Sequence, residues 1–194
     1  MSAALSPPRG LLDAAGLERF AEQLARSGGW QLPDGAVDER CYALIWSDAH
    51  VNAWAIRWWA EADTGFHDHD GSAAGIVVLE GAVVEERLSL EGPPIARRFR
   101  AGQSFRMPAS AIHRVRHGGG GAALTVHAYS PPLTIQGVYR VADGGVLERD
   151  TVPYTEELRG EQPRRGDEHG RDSQRPGRRE RARHDACARA HSDH

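Results

Sequence analysis

Two histidines, His67 and His69, stand one residue apart in the segment GFHDHDGSAAGIVVLEG, residues 65–81. Because successive side chains of a strand point to opposite faces, such a pair presents both imidazole rings on the same side. Metal-binding β-barrels commonly add a glutamate a few residues later, but positions 70–75 read DGSAAG. The spacing therefore predicts two imidazole ligands without that carboxylate, and a further ligand from another part of the chain.

His113, in SFRMPASAIHRVRH, is the candidate for the third ligand and follows His69 by 44 residues. Strands that far apart in sequence can face each other across the interior of a closed barrel. A histidine on its own is more often a core or surface residue, but the His-x-His pair favours a ligand here. Three neutral imidazoles leave the charge of a divalent ion uncompensated, so such a site favours anionic ligands. The spacing does not choose between Fe, Zn, Cu and Ni.

His127 and Tyr129 add a second polar pair, in AALTVHAYSPPL, and alternation places both on one face of a strand. The opposite face is apolar and is expected to contact protein; it consists of Leu124, Val126 and Ala128. Inside a barrel, the face with His127 and Tyr129 would project polar groups into the cavity. On an open sheet the same face would be turned to solvent.

One helix and a series of short strands are predicted to position these side chains. LLDAAGLERFAEQLAR, residues 11–26, has apolar residues at three- and four-residue spacings and ends before Ser27-Gly28-Gly29. From Arg40 onward, β-branched and aromatic runs are separated by Gly, Pro, Asp and Asn, a pattern typical of strands. No long helical pattern lies between them, as a parallel sheet would require. We predict an all-β dominated fold, a jelly-roll β-barrel of the cupin type with an N-terminal helix.

Composition divides the chain into three parts. Residues 1–36 are predicted to be a lead-in and a helix packed on the barrel, residues 37–158 the barrel itself, and residues 159–194 a tail. The tail holds ten Arg, seven Asp or Glu and four His among 36 residues, and no aromatic residue. A segment with so little to bury cannot offset the entropy lost on ordering, so we expect a disordered C-terminal tail.

The net charge and the cysteines indicate which binding partners and which cellular compartment to expect. A formal net charge of −3 gives no basic field for nucleic acid. No continuous apolar run is long enough to span a membrane, and MSAALSPPRG lacks the apolar stretch of a signal peptide. Cys41 and Cys187 are too few and too far apart for a disulfide framework and are expected to be free thiols. We expect a cytoplasmic protein, a monomer or small homo-oligomer, that acts on a small molecule.

Three segments in this order resemble the cysteine dioxygenase family of thiol dioxygenases: HDH followed by a strand, then IHRV, then VHAYSPPL, over residues 38–135. The resemblance implies a cupin barrel in which His67, His69 and His113 hold Fe(II), with O2 as co-substrate and a small thiol oxidised to its sulfinate. It also implies that His127 and Tyr129 act beside the metal. Mammalian-type members link the tyrosine to a cysteine, and the matching position in this sequence is Ala74.

Two arginines compete for the role of binding a substrate carboxylate, which the same resemblance implies. Arg40 precedes His67 by 27 residues, near the place where cysteine dioxygenases carry theirs, but the family's Tyr-x-Arg-Asn context is missing around it. Arg140 resembles the position used by mercaptopropionate dioxygenases. Either residue is equally compatible with a surface arginine, so the sequence leaves both open.

The function expected from the sequence is an Fe(II)-dependent thiol dioxygenase, with L-cysteine as the first substrate. One alternative is a thiol dioxygenase of the 3-mercaptopropionate type. Others are a different cupin metalloenzyme, such as an isomerase, lyase or zinc hydrolase, and a non-enzymatic cupin that binds a small ligand.

Overall fold

The computed structural model describes residues 5–32, 40–89, 92–143 and 146–155. Within these residues lie one helix and eleven strands. Their bounds are α1 Ala14–Ser27, β1 Cys41–Ser47, β2 Asn52–Trp58, β3 His67–Asp68, β4 Ala73–Glu80, β5 Ala82–Arg87, β6 Ile95–Arg100, β7 Ser104–Met107, β8 His113–His117, β9 Ala123–Ser130, β10 Ile135–Val141 and β11 Leu147–Pro153. The predicted disordered tail, residues 159–194, lies outside the described residues.

The strands form two antiparallel sheets. One has the order β1-β2-β9-β4-β7 and the other the order β11-β10-β3-β8-β5-β6. Most neighbours within a sheet are distant in sequence, so the chain crosses repeatedly from one sheet to the other, as in a jelly roll. The predicted mostly β jelly-roll barrel with one N-terminal helix is confirmed.

Helix α1 begins where Asp13 caps it. The Asp13 side chain accepts a hydrogen bond of 2.7 Å from the backbone N–H of Gly16, and so provides an acceptor for one of the otherwise unpaired N–H donors of the first turn. The predicted helix is therefore confirmed, but it starts after Leu11 and Leu12. It ends at Gly28, whose φ of 62° is a left-handed conformation that glycine adopts without steric cost.

The helix packs on the outer face of the five-stranded sheet. Its buried residues join one hydrophobic cluster with the outward-facing residues of β2, β4 and β9. Val126 and Ala128 belong to that cluster, so the predicted apolar face of β9 does contact protein. The residues of β9 that alternate with them, Thr125, His127 and Tyr129, are consequently directed to the opposite side, into the space between the sheets.

The space between the sheets is filled largely by aromatic and branched side chains. Buried polar residues of β3, β8 and β9 lie among them. The buried members of this cluster include Tyr42, Trp54, Ile56, Trp58, Ile76, Val78, Val83, Phe105, Met107, Val115, Tyr129 and Tyr154. No helix among the described residues is long and apolar enough to cross a membrane.

Gly75 on β4 allows the close approach of the helix to the sheet. A Cβ placed on Gly75 would lie 2.2 Å from the backbone nitrogen of Glu18 and 2.2 Å from the carbonyl carbon of Leu17. Only rigid backbone surrounds this point, so the helix must move away if a side chain is added.

We predict that Gly75→Ala lowers the free energy of unfolding by about 1–3 kcal/mol, because overpacking displaces α1 from β4. Gly92→Ala is the matched control, since nothing lies within 4 Å of a Cβ at Gly92. Urea unfolding of both variants measures the difference. Equal stability of Gly75→Ala and Gly92→Ala would contradict the close packing of helix on sheet.

Candidate metal centre

His67 begins β3, a strand of two residues held between β10 and β8, and His69 follows directly after that strand. His67 is paired with Val138 on one side and with His113 on the other. Directly opposite residues of antiparallel strands share a face, so the His67 and His113 rings point to the same side. This register brings together two histidines that are 46 positions apart in the sequence.

Asp68, between the two histidines, points to the opposite side of the sheet and anchors β3. Its carboxylate accepts hydrogen bonds from Nε (2.7 Å) and Nη2 (2.9 Å) of Arg149 and from the Tyr139 hydroxyl at 2.5 Å. The backbone N–H of Gly137 donates a further bond of 3.2 Å. Arg149, followed by Tyr139 and the backbone donors, holds the pKa of Asp68 well below its usual range, so this carboxylate stays ionised. Asp68 therefore fixes the strand and leaves His67 and His69 facing inward.

The three predicted ligands converge inside the barrel. One ring nitrogen from each of His67, His69 and His113 lies within 4.8 Å of those of the other two. Nε2 of His113 is 3.2 Å from Nε2 of His69, and the ring centroids of His67 and His113 are 4.4 Å apart. All three side chains are buried. Three nitrogens this close together, each with a lone pair in its neutral form, are a suitable donor set for one metal ion.

The protonation of the cluster favours metal binding. Burial, followed by the charges of neighbouring histidines, lowers the pKa of His69 and of His113 well below the ordinary value of 6.5. Both rings are therefore neutral at physiological pH. The carbonyl oxygen of Gly65 lies 3.1 Å from Nδ1 of His67 and can accept a hydrogen bond from it, and in that tautomer Nε2 carries the lone pair of the ring.

A line of hydrogen bonds runs beside the cluster from β2 to the end of β11. Trp58 Nε1 donates to the Thr125 hydroxyl (2.8 Å), which lies 2.9 Å from Nε2 of His127. Nδ1 of His127 is 3.1 Å from the Tyr129 hydroxyl, and that hydroxyl is 2.9 Å from the hydroxyl of Tyr154. The Tyr129 ring meets the His69 ring edge-on at 5.0 Å. The predicted pair His127 and Tyr129 thus lies next to the three histidines.

His127 is a neutral member of this line. Burial lowers its pKa to about 3, with smaller contributions from the charges of His67 and Arg40. A ring that does not take up a proton at neutral pH carries one N–H and one lone pair. His127 can therefore donate at one nitrogen and accept at the other, which suits a residue that orients the Tyr129 hydroxyl.

Ala74 lies directly opposite Tyr129 in the β4–β9 pair. The position matched to the family's cross-linking cysteine is thus adjacent to the tyrosine, and it carries only a methyl group. Cys41 is buried on β1 opposite Arg57, whereas its neighbour Tyr42 belongs to the interior cluster. Because side chains alternate, the Cys41 side chain points away from Tyr129.

The structure places the two candidate arginines differently. Arg40 is half-buried, and its guanidinium lies 5.8 Å from the centre of the Trp58 ring, which stacks on His127 at 6.1 Å. Arg140 is on β10, with 64% of its side chain exposed, and Nη2 is 2.7 Å from Oε2 of Glu148. The structure therefore brings Arg40 towards the line of hydrogen bonds that runs from Trp58 to Tyr154, and it leaves Arg140 on the surface, paired with Glu148. The role of each in binding substrate stays a prediction.

Three groups near the histidines were missed in the sequence. Arg87 is the partner of His113 in the β5–β8 pair, and its guanidinium binds Glu85 at 3.1 Å and the sulfur of Met107 at 2.9 Å. Alternation along GAVVEER places Glu85 and Arg87 on the same face as Val83, a core residue. This pattern could have revealed that both residues face the interior. Nothing local distinguishes Tyr154 or Gln136, because their positions depend on strands that pair across the sheet.

Comparison with known proteins adds structural likenesses only. No family model and no curated protein matches the chain. The cupin domain of Schizosaccharomyces pombe Cnp3 is 14% identical over 53% of this chain and 68% of its own, with a TM-score of 0.45. KdgF from Halomonas sp. is 20% identical over 53% of this chain and 88% of its own, with a TM-score of 0.43. An oxalate oxidase is 22% identical, with a TM-score of 0.38, and the chain spans 41% of its length. Likenesses this low assign no activity to the three histidines.

We predict that His113→Ala reduces bound metal to near zero, because two imidazoles cannot hold a divalent ion as three do. His117→Ala is the matched control: it is a buried histidine of the same strand whose ring binds the backbone of Gly119 and Gly121. Metal analysis after anaerobic loading with Fe(II), with circular dichroism as a check of folding, compares the two. Full metal occupancy in His113→Ala would exclude His113 from the ligand set.

Proposed function

We propose that the chain is an Fe(II)-dependent thiol dioxygenase that oxidises a small thiol, L-cysteine in the first place, to its sulfinate. The convergence of three buried histidines, His67, His69 and His113, next to the ring of Tyr129 is the observation that supports it. The reaction needs no additional reductant. The sulfur supplies the electrons that dioxygen accepts, both oxygen atoms end on sulfur, and the thiol proton is released.

The ligand set explains why a thiol suits this site. His67, His69 and His113 would hold the ferrous iron, which would supply the positive charge that draws electron density from a thiolate sulfur and activates dioxygen. Three neutral imidazoles leave the positive charge of the ion for its other ligands, whereas a protein carboxylate would neutralise part of it. A thiolate brings its own negative charge. Histidine-only ligation, with Asp68 turned outward onto Arg149, therefore favours an anionic sulfur ligand.

Tyr129 is the group best placed to hydrogen-bond the reacting atoms. Its hydroxyl has His127 on one side and Tyr154 on the other, and its ring contacts His69. Because His127 is neutral, the hydroxyl can donate its proton to the ring or receive a hydrogen bond from it. A hydroxyl held in this way donates to an oxygen atom that gains negative charge, and needs no large rearrangement to do so.

Arg40 is the proposed partner of the substrate carboxylate. Its guanidinium lies over Trp58, next to His127, in a half-buried position where a charge is only partly screened. An arginine fork can donate two parallel hydrogen bonds to one carboxylate. Arg140, by contrast, is engaged with Glu148 and Asp150 at distances of 2.7 and 3.6 Å. This contrast favours L-cysteine bound through Arg40 over the mercaptopropionate type bound through Arg140.

The remaining alternatives use the same three histidines differently. A zinc hydrolase, isomerase or lyase, or a barrel that only binds a ligand, would also place a metal on this cluster. Neither these metalloenzymes nor a ligand-binding barrel requires a tyrosine hydroxyl held between a buried histidine and a second tyrosine. The line from Trp58 to Tyr154 is therefore the feature that favours an oxygenase.

The proposal predicts oxygen uptake with stoichiometric sulfinate formation when Fe(II)-loaded protein is given L-cysteine. An oxygen electrode, with mass spectrometry of the product formed under 18O2, tests it, and both labelled atoms should appear in the sulfinate. 3-Mercaptopropionate and cysteamine complete the panel, and the metal-depleted protein is the control. Absence of uptake with every thiol, from protein that holds one iron per chain, would refute the function.

Arg40→Ala is expected to reduce kcat/KM for L-cysteine by about 30-fold to several thousand-fold, the equivalent of losing a buried, hydrogen-bonded charge pair of roughly 2–5 kcal/mol. Arg140→Ala is the control and should change it little, because that guanidinium is exposed and paired on the surface. Steady-state kinetics of both variants with L-cysteine and 3-mercaptopropionate measures the effect. A loss confined to Arg140→Ala, with 3-mercaptopropionate as the better thiol, would move the assignment to the mercaptopropionate type.

A further inference from the structure

Gln136 is a buried amide without a hydrogen-bond partner among the residues that the structure describes. Its side chain is 0% exposed, and within these residues neither the amide nitrogen nor the amide oxygen is paired. Buried polar groups in folded proteins are almost always paired, because an unpaired one has lost its bonds to water without replacement. A fully buried amide with both ends unpaired therefore indicates a group that a ligand completes.

The register of the sheet places Gln136 beside the histidines. Gly137 is paired with Asp68 and Val138 with His67, so alternation places Gln136, two residues before Val138 on β10, on the same face as His67. Residues opposite each other in antiparallel strands share a face, and His67 and His69 face the interior. The Gln136 side chain therefore faces the interior on the His69 side of the cluster.

The other neighbour of Gln136 leads to the tyrosines. On its far side β10 pairs with β11, where Gln136 is opposite Val152. Tyr154 follows directly after β11 and belongs to the interior cluster, and its hydroxyl is hydrogen-bonded to that of Tyr129. Gln136 thus faces the same interior as His69, Tyr129 and Tyr154, in which a ligand of the histidines must sit.

A buried amide with a structural role looks different in this protein. Asn52 is also buried, and both ends of its amide are used: Nδ2 donates to the carbonyl oxygen of Leu133 at 2.8 Å, and Oδ1 accepts from the N–H of Leu133 at 3.0 Å. These two bonds fix the loop that follows β9. Gln136 has no comparable task in the fold, so its amide is free to serve a bound molecule.

We propose that the Gln136 amide donates an N–H bond to a carboxylate oxygen of the thiol substrate and so determines specificity for carboxylated thiols. This inference rests on the proposed function for the identity of the ligand. Arg40, beside Trp58, is a cationic group near the cluster and favours an anion there. An anion takes hydrogen bonds from donors, and the amide nitrogen of Gln136 offers two N–H groups that no described residue accepts.

The test is ligand-induced stabilisation of Fe(II)-loaded protein under anaerobic conditions, in which no turnover occurs. We expect wild-type protein to be stabilised by L-cysteine and by 3-mercaptopropionate, with a rise in Tm that saturates. Gln136→Leu should raise the half-saturating concentration of both thiols by about tenfold or more, because the carboxylate loses its donor. Without ligand, the Tm of Gln136→Leu should equal or exceed that of wild type, since an unpaired amide is replaced by an apolar side chain of similar size.

Asn52→Leu is the matched control and should lower the ligand-free Tm, because it breaks two satisfied bonds. The proposal fails if Gln136→Leu destabilises the ligand-free protein as Asn52→Leu does, if it loses iron, or if its half-saturating concentrations equal those of wild type. Gln136→Met, unbranched and of the same length, replaces Gln136→Leu if the latter does not fold. Oxygen uptake by wild type reports separately on the proposed function, so stabilisation that depends on Gln136 without uptake would refute the dioxygenase and leave the carboxylate contact standing.

Discussion

The candidate site depends on the position of one very short strand. β3 has two residues, and its backbone pairing alone gives it few hydrogen bonds with which to hold a register. The carboxylate of Asp68 compensates by binding the side chains of Arg149 and Tyr139 and the backbone of Gly137. Since a slip of one residue would exchange the two faces, these bonds decide whether His67 and His69 face the barrel or the solvent. The outward-facing residue between the two histidines thus determines the ligand set.

The interior combines an apolar packing cluster with buried polar residues. Trp58, Ile76, Phe105 and Met107 fill the space between the sheets, and the histidines and the line from Thr125 to Tyr154 lie among them. Burial keeps the imidazoles neutral, which is the form in which they bind metal and orient hydroxyl groups. A buried environment of low dielectric constant also strengthens each hydrogen bond made there, and it raises the free-energy cost of each polar group left unpaired. The unpaired amide of Gln136 is consequently a costly feature for the fold, and one that a ligand can offset.

The two faces of the five-stranded sheet contact different parts of the protein. Towards the outside, Gly75, Val126 and Ala128 form a smooth surface on which α1 packs at backbone distance. Towards the inside, the alternate residues of β9 carry Thr125, His127 and Tyr129. The helix therefore packs on the face opposite Thr125, His127 and Tyr129, and its packing buries β9, the strand that carries them. Such a strand, buried on both faces, fixes its side chains more firmly than an exposed loop would.

Local periodicity was enough to predict the helix, the strand-rich barrel and the facing of three residue pairs. The two-residue alternation put His67 with His69 and His127 with Tyr129, and it identified Val126 and Ala128 as a packing face; each of these depends on neighbours in the same strand. Only the tertiary structure decided three other features of the site. These are the convergence of His113 with the first pair, the location of Arg40 rather than Arg140 near the line of hydrogen bonds, and the positions of Arg87, Gln136 and Tyr154. Those positions depend on which strands pair and in which register, and pairing between strands distant in sequence leaves no periodic signal within either strand.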